Sequence, residues 1–329
     1  MNPLTDAAVA RLKTVVARPD SSADRYTILE EIGRGGMGTV YRAHDRDLDR
    51  EVAIKVPNEA QGSALERRLK VEGRVLARLE HPGIVPIHDA GRLADGRLFY
   101  VMKHVRGRTL REFLDTGPDL AERLRIFERI CEPVAFAHAH DVIHRDLKPD
   151  NVMLGAFGEV LVMDWGVAKV VGASDADPVS PAGAHPGATG PGTIVGTHGF
   201  MAPEQARGSA GDVDERSDVY GLGAILFLLL TGCDPGVDPA SALPAHPGVP
   251  RPLRSICARA LAVSPGDRFP SVESLSDDIG RFRAGAAVRA HRETVPERIA
   301  RFGRTYRTAI LLVAAYVVMR VIVALVAGL

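Results

Sequence analysis

Cysteine is scarce in this chain: Cys131, Cys233 and Cys257 are the three present in 329 residues, far apart and without CxxC spacing. An odd, scattered set excludes a disulfide framework, offers no zinc-binding spacing and fits a reducing cytoplasm. A surplus of either charge is missing too, with 41 Lys and Arg against 41 Asp and Glu. A general nucleic-acid binder needs a clear basic excess, so no nucleic acid is expected as a partner. The opening "MNPLTDAAVARLKTVVARPDSSAD" has no uninterrupted apolar run, because Asp6, Arg11 and Lys13 break it, and it does not read as a secretory signal. No internal repeat of fixed period occurs. With 46% hydrophobic and 25% charged residues, the chain has the make-up of a folded protein large enough for two packed lobes.

What is present divides into two halves. From Tyr26 to about Val105 short β-type runs follow one another, "YTILEEIG", "GTVYRAHD", "EVAIKV", "IVPIHDAGRL" and "LFYVMKHV", broken by glycines and charged turns. One helical stretch, "SALERRLKVEGRVLARLE", interrupts them. After Thr109 apolar residues recur at three- and four-residue spacing in "LREFLD", "LAERLRIFERICEPVAFAHAH", "DVYGLGAILFLLLTG" and "LRSICARALA", which predicts helices. Leu222 to Leu230 is too short to cross a bilayer and reads as a buried central helix. Residues 172–192 are small residues, glycines and prolines that bury too little apolar surface to offset chain entropy, and predict a mobile insert.

Against this background several motifs carry chemistry. "GRGGMGTVY" sets Gly33, Gly35 and Gly38 in a GxGxxG pattern, whose missing side chains let backbone amides approach phosphate oxygens. A dinucleotide fold would open a helix at the third glycine, but Thr39, Val40 and Tyr41 continue as a strand, so the glycines belong to a hairpin. Seventeen positions after Gly38, Lys55 places a cation on an otherwise apolar strand and calls for an anionic partner. "HRDLKPDN", residues 144–151, gathers charged and amide side chains that would by themselves suit a solvated turn equally well. His138, His140 and His144 have no further ligands nearby in sequence, so no zinc site is expected.

"GRGGMGTV", "VAIK", "HRDLKPDN", "DWG" and "APE" occur in that order, and the chain closely resembles the bacterial eukaryotic-type (Hanks-type) serine/threonine protein kinases over about residues 26–282. The resemblance implies an α+β, bilobal protein-kinase fold with a small β-rich N-lobe (26–105) and a larger helical C-lobe (106–282), preceded by an N-terminal extension (1–25). It implies ATP between the lobes: Ile32, Gly33, Gly35, Gly36 and Gly38 in the glycine-rich hairpin, Val40 and Ala53 over the adenine, Met102 as gatekeeper, and Lys103, His104 and Val105 as hinge. Lys55 would hold the α- and β-phosphates and pair with Glu72, with Glu66 as the rival acid. Asp146 would accept and orient the substrate hydroxyl, Lys148 would contact the transferring phosphate as in the serine/threonine pattern, and Asn151 and Asp164 would ligate two Mg2+ ions. Thr197 would contact Asp146 and Lys148, Glu204 would pair with Arg268, and Asp218 would hold the catalytic loop. Arg145 would bind an activating phosphate, for which Thr193 is the foremost site, with Ser180 and Thr189 as alternatives. "DWG" departs from the family's usual DFG, and Gly232 to Arg254 is shorter and richer in proline than the family pattern. The implied function is transfer of the ATP γ-phosphate to protein Ser/Thr hydroxyls, with autophosphorylation, and a homodimer acting in trans is compatible with it. The alternative is a non-catalytic ATP-binding pseudokinase scaffold.

The C-terminus adds a membrane expectation. Residues 309–329, "AILLVAAYVVMRVIVALVAGL", would form a helix about 31 Å long against a hydrocarbon core of about 30 Å. Arg320 opposes insertion by roughly 2.5–3.5 kcal/mol, and twelve Leu, Ile and Val residues offset it by roughly 4–7 kcal/mol. Residues 281–307 hold eight arginines against two glutamates, and positive flanks stay on the cytoplasmic side. The expectation is a basic juxtamembrane segment (283–308), a transmembrane helix (309–329) and a kinase domain facing the cytoplasm. An interfacial helix using the arginines at 298, 301, 304 and 307 is the competing reading.

Overall fold

Period-two patterning builds the first half of the chain into a sheet. The structure, a computed structural model, describes residues 25–35, 38–58, 70, 73–93, 96–165, 169–170, 198–207, 213–236 and 238–326. Five strands, β1 (Tyr26–Arg34), β2 (Thr39–Asp45), β3 (Arg50–Val56), β4 (Ile87–Arg92) and β5 (Leu98–Lys103), form an antiparallel sheet in the order β1-β2-β3-β5-β4. On β2 the buried positions alternate as Thr39, Tyr41, Ala43 and Asp45, so one face turns inward. Central β3 is buried from Val52 to Val56 without alternation, because both of its faces are covered. One face packs with Tyr26, Tyr41, Phe99 and Val101; the other packs Ala53, Tyr100 and Met102 with Val85 and Leu161.

The inward polar residue on β2 has an explanation outside its own strand. Asp45 is 0% exposed and accepts from Arg25 Nε at 2.8 Å and Nη2 at 3.0 Å, with Arg50 Nε at 3.4 Å. The bond from Arg25 pulls the carboxyl down to about 2. A folded-state pKa below the unfolded value contributes stability that is fully present above pH 4 and is lost as pH falls through about 2. Asp45→Asn should therefore lose about 2 kcal/mol in urea unfolding at pH 7. The gap to the parent should narrow towards pH 3; a gap independent of pH would count against the ion pair.

The second half is helical. The helix α1 (Leu110–Leu114) starts at a reciprocal cap between Thr109 and Glu112, and α2 (Leu120–His138) starts where the Asp119 carboxylate accepts from Glu122 N at 2.7 Å. After the short α3 (Pro203–Ala206) comes α4 (Glu215–Thr231), ended by Gly232 at φ 73°, a conformation that favours glycine. Every residue of α4 from Ser217 to Leu230 is buried, as suits a helix surrounded by others. It packs with α2, α5 (Arg251–Ala260) and α6 (Val272–Arg283) in one core. Between α2 and α3 run β7 (Val142–Ile143), β8 (Val152–Gly155), β9 (Val160–Val162) and β10 (Lys169–Val170); β7 pairs with β10, and β8 lies between β9 and β6 (Gly107–Thr109).

Beyond α6 the chain keeps packing on the helical half instead of leaving it at residue 283. Val288 is buried, and the buried Asp278 carboxylate accepts from Arg289 N at 2.9 Å and Ala290 N at 2.8 Å. Two more helices follow, α7 (Val295–Thr305) and α8 (Arg307–Val326). Among the described residues no single helix is long and apolar enough to cross a membrane; Val295–Gly303 and Thr308–Val323, bent by 75°, pass together by length and composition.

Candidate active site

The site forms where β3, the loop after β7 and the loop after β9 meet. Register places Lys55 opposite Val40 on β2 and Tyr100 on β5, and Ala53 opposite Met102. The Lys55 ammonium, nearly buried, bonds Asp164 Oδ1 at 2.8 Å across 109 residues of sequence. Among the described residues an anionic partner of this buried lysine is the acid of "DWG". Partial burial pushes the Asp164 carboxyl upward, but Lys55, aided by His144 and Lys148, holds it below the usual carboxylate range, so it is charged at neutral pH. Its backbone stands at φ 59°, a left-handed conformation that a non-glycine residue adopts at some cost, and that of Arg145 at φ 69°.

"HRDLKPDN" is a cross-braced loop. Lys148 Nζ donates to Asp146 Oδ2 at 2.6 Å, and Asn151 Nδ2 donates to the same oxygen at 3.1 Å and to the Asp146 carbonyl at 2.7 Å. His144 Nδ1 accepts from Asp146 N at 3.2 Å, while its Nε2 lies 3.0 Å from the Met163 carbonyl, just before Asp164. From below, the buried Asp218 at the start of α4 accepts from His144 N, Arg145 N and His138 Nε2, each at 2.8 Å. Burial would raise Asp218, but His138 and the backbone donors hold it below its ordinary value; burial would lower His138, and Asp218 holds it above. Gln205 on α3 adds a bond to the Arg145 carbonyl at 2.9 Å. Trp165 is buried, with its ring 4.5 Å from that of His144 and its indole N–H on the Val162 carbonyl at 3.3 Å.

The residues expected on the nucleotide side divide by how constrained they are. Ile32 is exposed and His104 Nδ1 lies 3.2 Å from Glu51 Oε2. A Cβ added at Gly38 would meet the Val56 carbonyl oxygen at 2.5 Å, whereas Gly33 and Gly35 have open space. Gly38→Ala should therefore shift the hairpin and raise KM for ATP about tenfold, and Gly35→Ala should stay near parental. Equal KM values for the two variants would show that the close approach is irrelevant to the nucleotide. Gly36, Glu72, Glu66, Thr193 and Thr197 lie outside the described residues, as does the insert 172–192.

The family described as Protein kinase domain matches residues 26–245. The chain is 36% identical to the serine/threonine-protein kinase PknD of Chlamydia abortus over 295 aligned positions, covering 79% of this chain and 31% of that protein. The corresponding protein of Chlamydia trachomatis serovar D is 35% identical over 300 positions, covering 79% and 32%. This chain belongs to the bacterial serine/threonine protein kinase family. It spans about a third of the length of the curated relatives it matches.

In this kinase domain two site-forming residues escape motif reading. Met153, like Val40, packs against the sheet-side cluster that holds Ala53 and Met102, while its neighbours Val152 and Leu154 face the helical core. Strand alternation after Asn151 could have found it. His138, set aside above only as a metal ligand, is the side chain that Asp218 holds. No signal in sequence links two residues 80 positions apart. Among the described residues no cluster of His, Cys, Asp and Glu suits a metal ion by itself.

Proposed function

We propose that this chain is a serine/threonine protein kinase that transfers the γ-phosphate of ATP to hydroxyls of protein substrates, itself included, from the cytoplasmic face of a membrane in which its C-terminal helix is anchored. The observation that carries the reading is the convergence of three charged groups: the Lys55–Asp164 pair at 2.8 Å and Asp146 braced by Lys148 and Asn151. Lys55 would clamp the α- and β-phosphates. The site also suits Mg2+: Asp164 is a charged hard oxygen donor, and Asn151 spends its amide nitrogen on Asp146, which leaves its carbonyl oxygen to act as a ligand. Bound Mg2+ would neutralise charge on the phosphates. Asp146 would align the substrate hydroxyl and take its proton as the new P–O bond forms and ADP leaves; Lys148 would neutralise the transferring phosphoryl. Val40, Ala53, Met102 and Met153 would sandwich the adenine, with Ile32 over it and the His104 backbone at the hinge. Glu72 would steady Lys55, and Thr197 would tie the segment before "APE" to Asp146.

Regulation belongs to the same proposal. Phosphate on Thr193 would pair with Arg145, whose backbone is already pinned by Asp218 and Gln205. The test is incubation with Mg-ATP and a general protein acceptor, followed by phosphoamino-acid analysis and site mapping. Phosphoserine and phosphothreonine should appear, and Thr193→Ala should lower the rate. ATP binding without any transfer would mark a scaffold, and phosphotyrosine alone would overturn the Lys148 assignment.

A further inference from the structure

The helix α7 is amphipathic the wrong way round for a helix packed on a protein. Val295, Ile299, Phe302 and Tyr306 fall at spacings of four, three and four, one stripe on a helix, and they are 70%, 67%, 57% and 50% exposed. Phe302 and Tyr306 lie against each other with ring centroids 4.6 Å apart. The polar residues face the lobe instead. Glu297 reaches His291 Nε2 at 3.4 Å and Arg251 at 3.6 Å, and Arg301 pairs with Glu293 at 2.7 Å. His291 in turn meets the Ser255 hydroxyl on α5 at 2.9 Å, and the chain leading to it is held by Asp278 and by Arg281, whose Nε donates to the Ala287 carbonyl at 2.7 Å. A surface helix of a soluble domain buries its apolar stripe on the core; this one turns the half-buried Glu297 and Arg301 to their partners and presents the stripe outward.

We propose that α7 lies flat in the headgroup layer of an anionic membrane, its apolar stripe in the acyl boundary, and that the latch from Asp278 to Glu297 holds the helical lobe against that surface on its α5–α6 side. The inference rests on the membrane reading above and adds an orientation to it. The occupant of the stripe is lipid because the stripe runs on into α8, whose apolar residues Ile310 to Leu325 are exposed all round, with a 75° bend between the two helices. That bend lets one helix lie along a surface while the next enters it. Arg298, exposed beside the stripe, and the surplus of arginine over glutamate across residues 281–307 match anionic headgroups.

The experiment uses the full chain in vesicles of phosphatidylcholine and phosphatidylglycerol, with the exposed Cys233 changed to serine and a fluorophore on Ile299→Cys, on Phe302→Cys or, as an aqueous reference, on Phe157→Cys. Lipids brominated near the headgroup should remove about half of the emission at 299 and 302 and leave 157 bright, and iodide should quench the first two several-fold less than the third. Carbonate extraction is run in parallel. A chain that extracts yet is quenched by bromolipid at 299 and 302 loses the span and keeps this inference. A chain that resists extraction while iodide quenches 299 and 302 as it does 157 keeps the span and overturns it. Labels shielded from iodide but untouched by bromolipid mean that protein covers the stripe, which also overturns it.

Discussion

Lys55→Met is expected to reduce phosphate transfer by about 10^2- to 10^3-fold or more, since in the proposed mechanism it removes a charge aimed at the transferring nucleotide. Asp146→Asn should lose about 10^2- to 10^4-fold, the range for a positioned proton acceptor. Neither should unfold the protein. Methionine fills the volume of the lysine stem, and the partner left behind, Asp164, has a side chain 39% exposed, so water can solvate its charge. Asparagine at 146 can still accept from Lys148, keeping the loop braced. The measurement is incorporation of labelled phosphate at saturating Mg-ATP together with a thermal melt. Loss of transfer with melting within a few degrees of the parent supports the assignment. Transfer at the parental rate in either variant would sink it.

How much of this was legible in the sequence depends on the range of the interaction. The strands from Tyr26 to Lys103 and the buried α4 follow from local period and apolar content, which act over a few residues. The sheet order β1-β2-β3-β5-β4 does not, because it rests on which edges meet after the chain has crossed over. Asp45 reads as the end of a strand, and its buried place follows from Arg25, twenty positions earlier in sequence and outside the strand. The ordered motifs pointed to Lys55, Asp146, Asn151 and Asp164 by resemblance; what they could not supply is that Lys55 and Asp164 touch, or that Asn151 turns its nitrogen to Asp146. Past residue 282 a single buried side chain, Asp278, captures two backbone N–H groups beyond the helix it sits on, a contact that no motif announces. Composition in that stretch is basic and suggests a juxtamembrane segment, and only the fold reveals the carboxylate under it.

Arg268→Lys should destabilise the domain by about 3 kcal/mol, although it keeps the charge. The Arg268 side chain is fully buried and all five of its N–H groups are used. Nε donates to the Ala262 carbonyl at 2.8 Å, Nη1 to Glu204 Oε1 at 2.7 Å and the Arg216 carbonyl at 2.8 Å, and Nη2 to Glu204 Oε2 at 2.8 Å and the Val263 carbonyl at 3.1 Å. Its guanidinium also lies 5.1 Å from the centre of the Tyr220 ring. A lysine has three donors on a point charge, cannot engage both Glu204 oxygens as a fork, and leaves buried carbonyls unpaired. Glu204 itself is buried; desolvation pushes its carboxyl up, and the Arg268 and Ser217 donors bring it below the usual range. Glu204→Ala strands the arginine in the same way and should lose about 3–5 kcal/mol, a large share of the roughly 5–15 kcal/mol that holds a domain folded. Exchanging both residues for methionine recovers less than a simple buried pair would, because three backbone carbonyls and the Ser217 hydroxyl still need donors or acceptors. Urea unfolding of Arg268→Met, Glu204→Met and the double methionine variant measures the coupling directly. If Arg268→Lys unfolds within about 0.5 kcal/mol of the parent, the five-donor network is not what anchors the segment bearing α3 to the helical lobe.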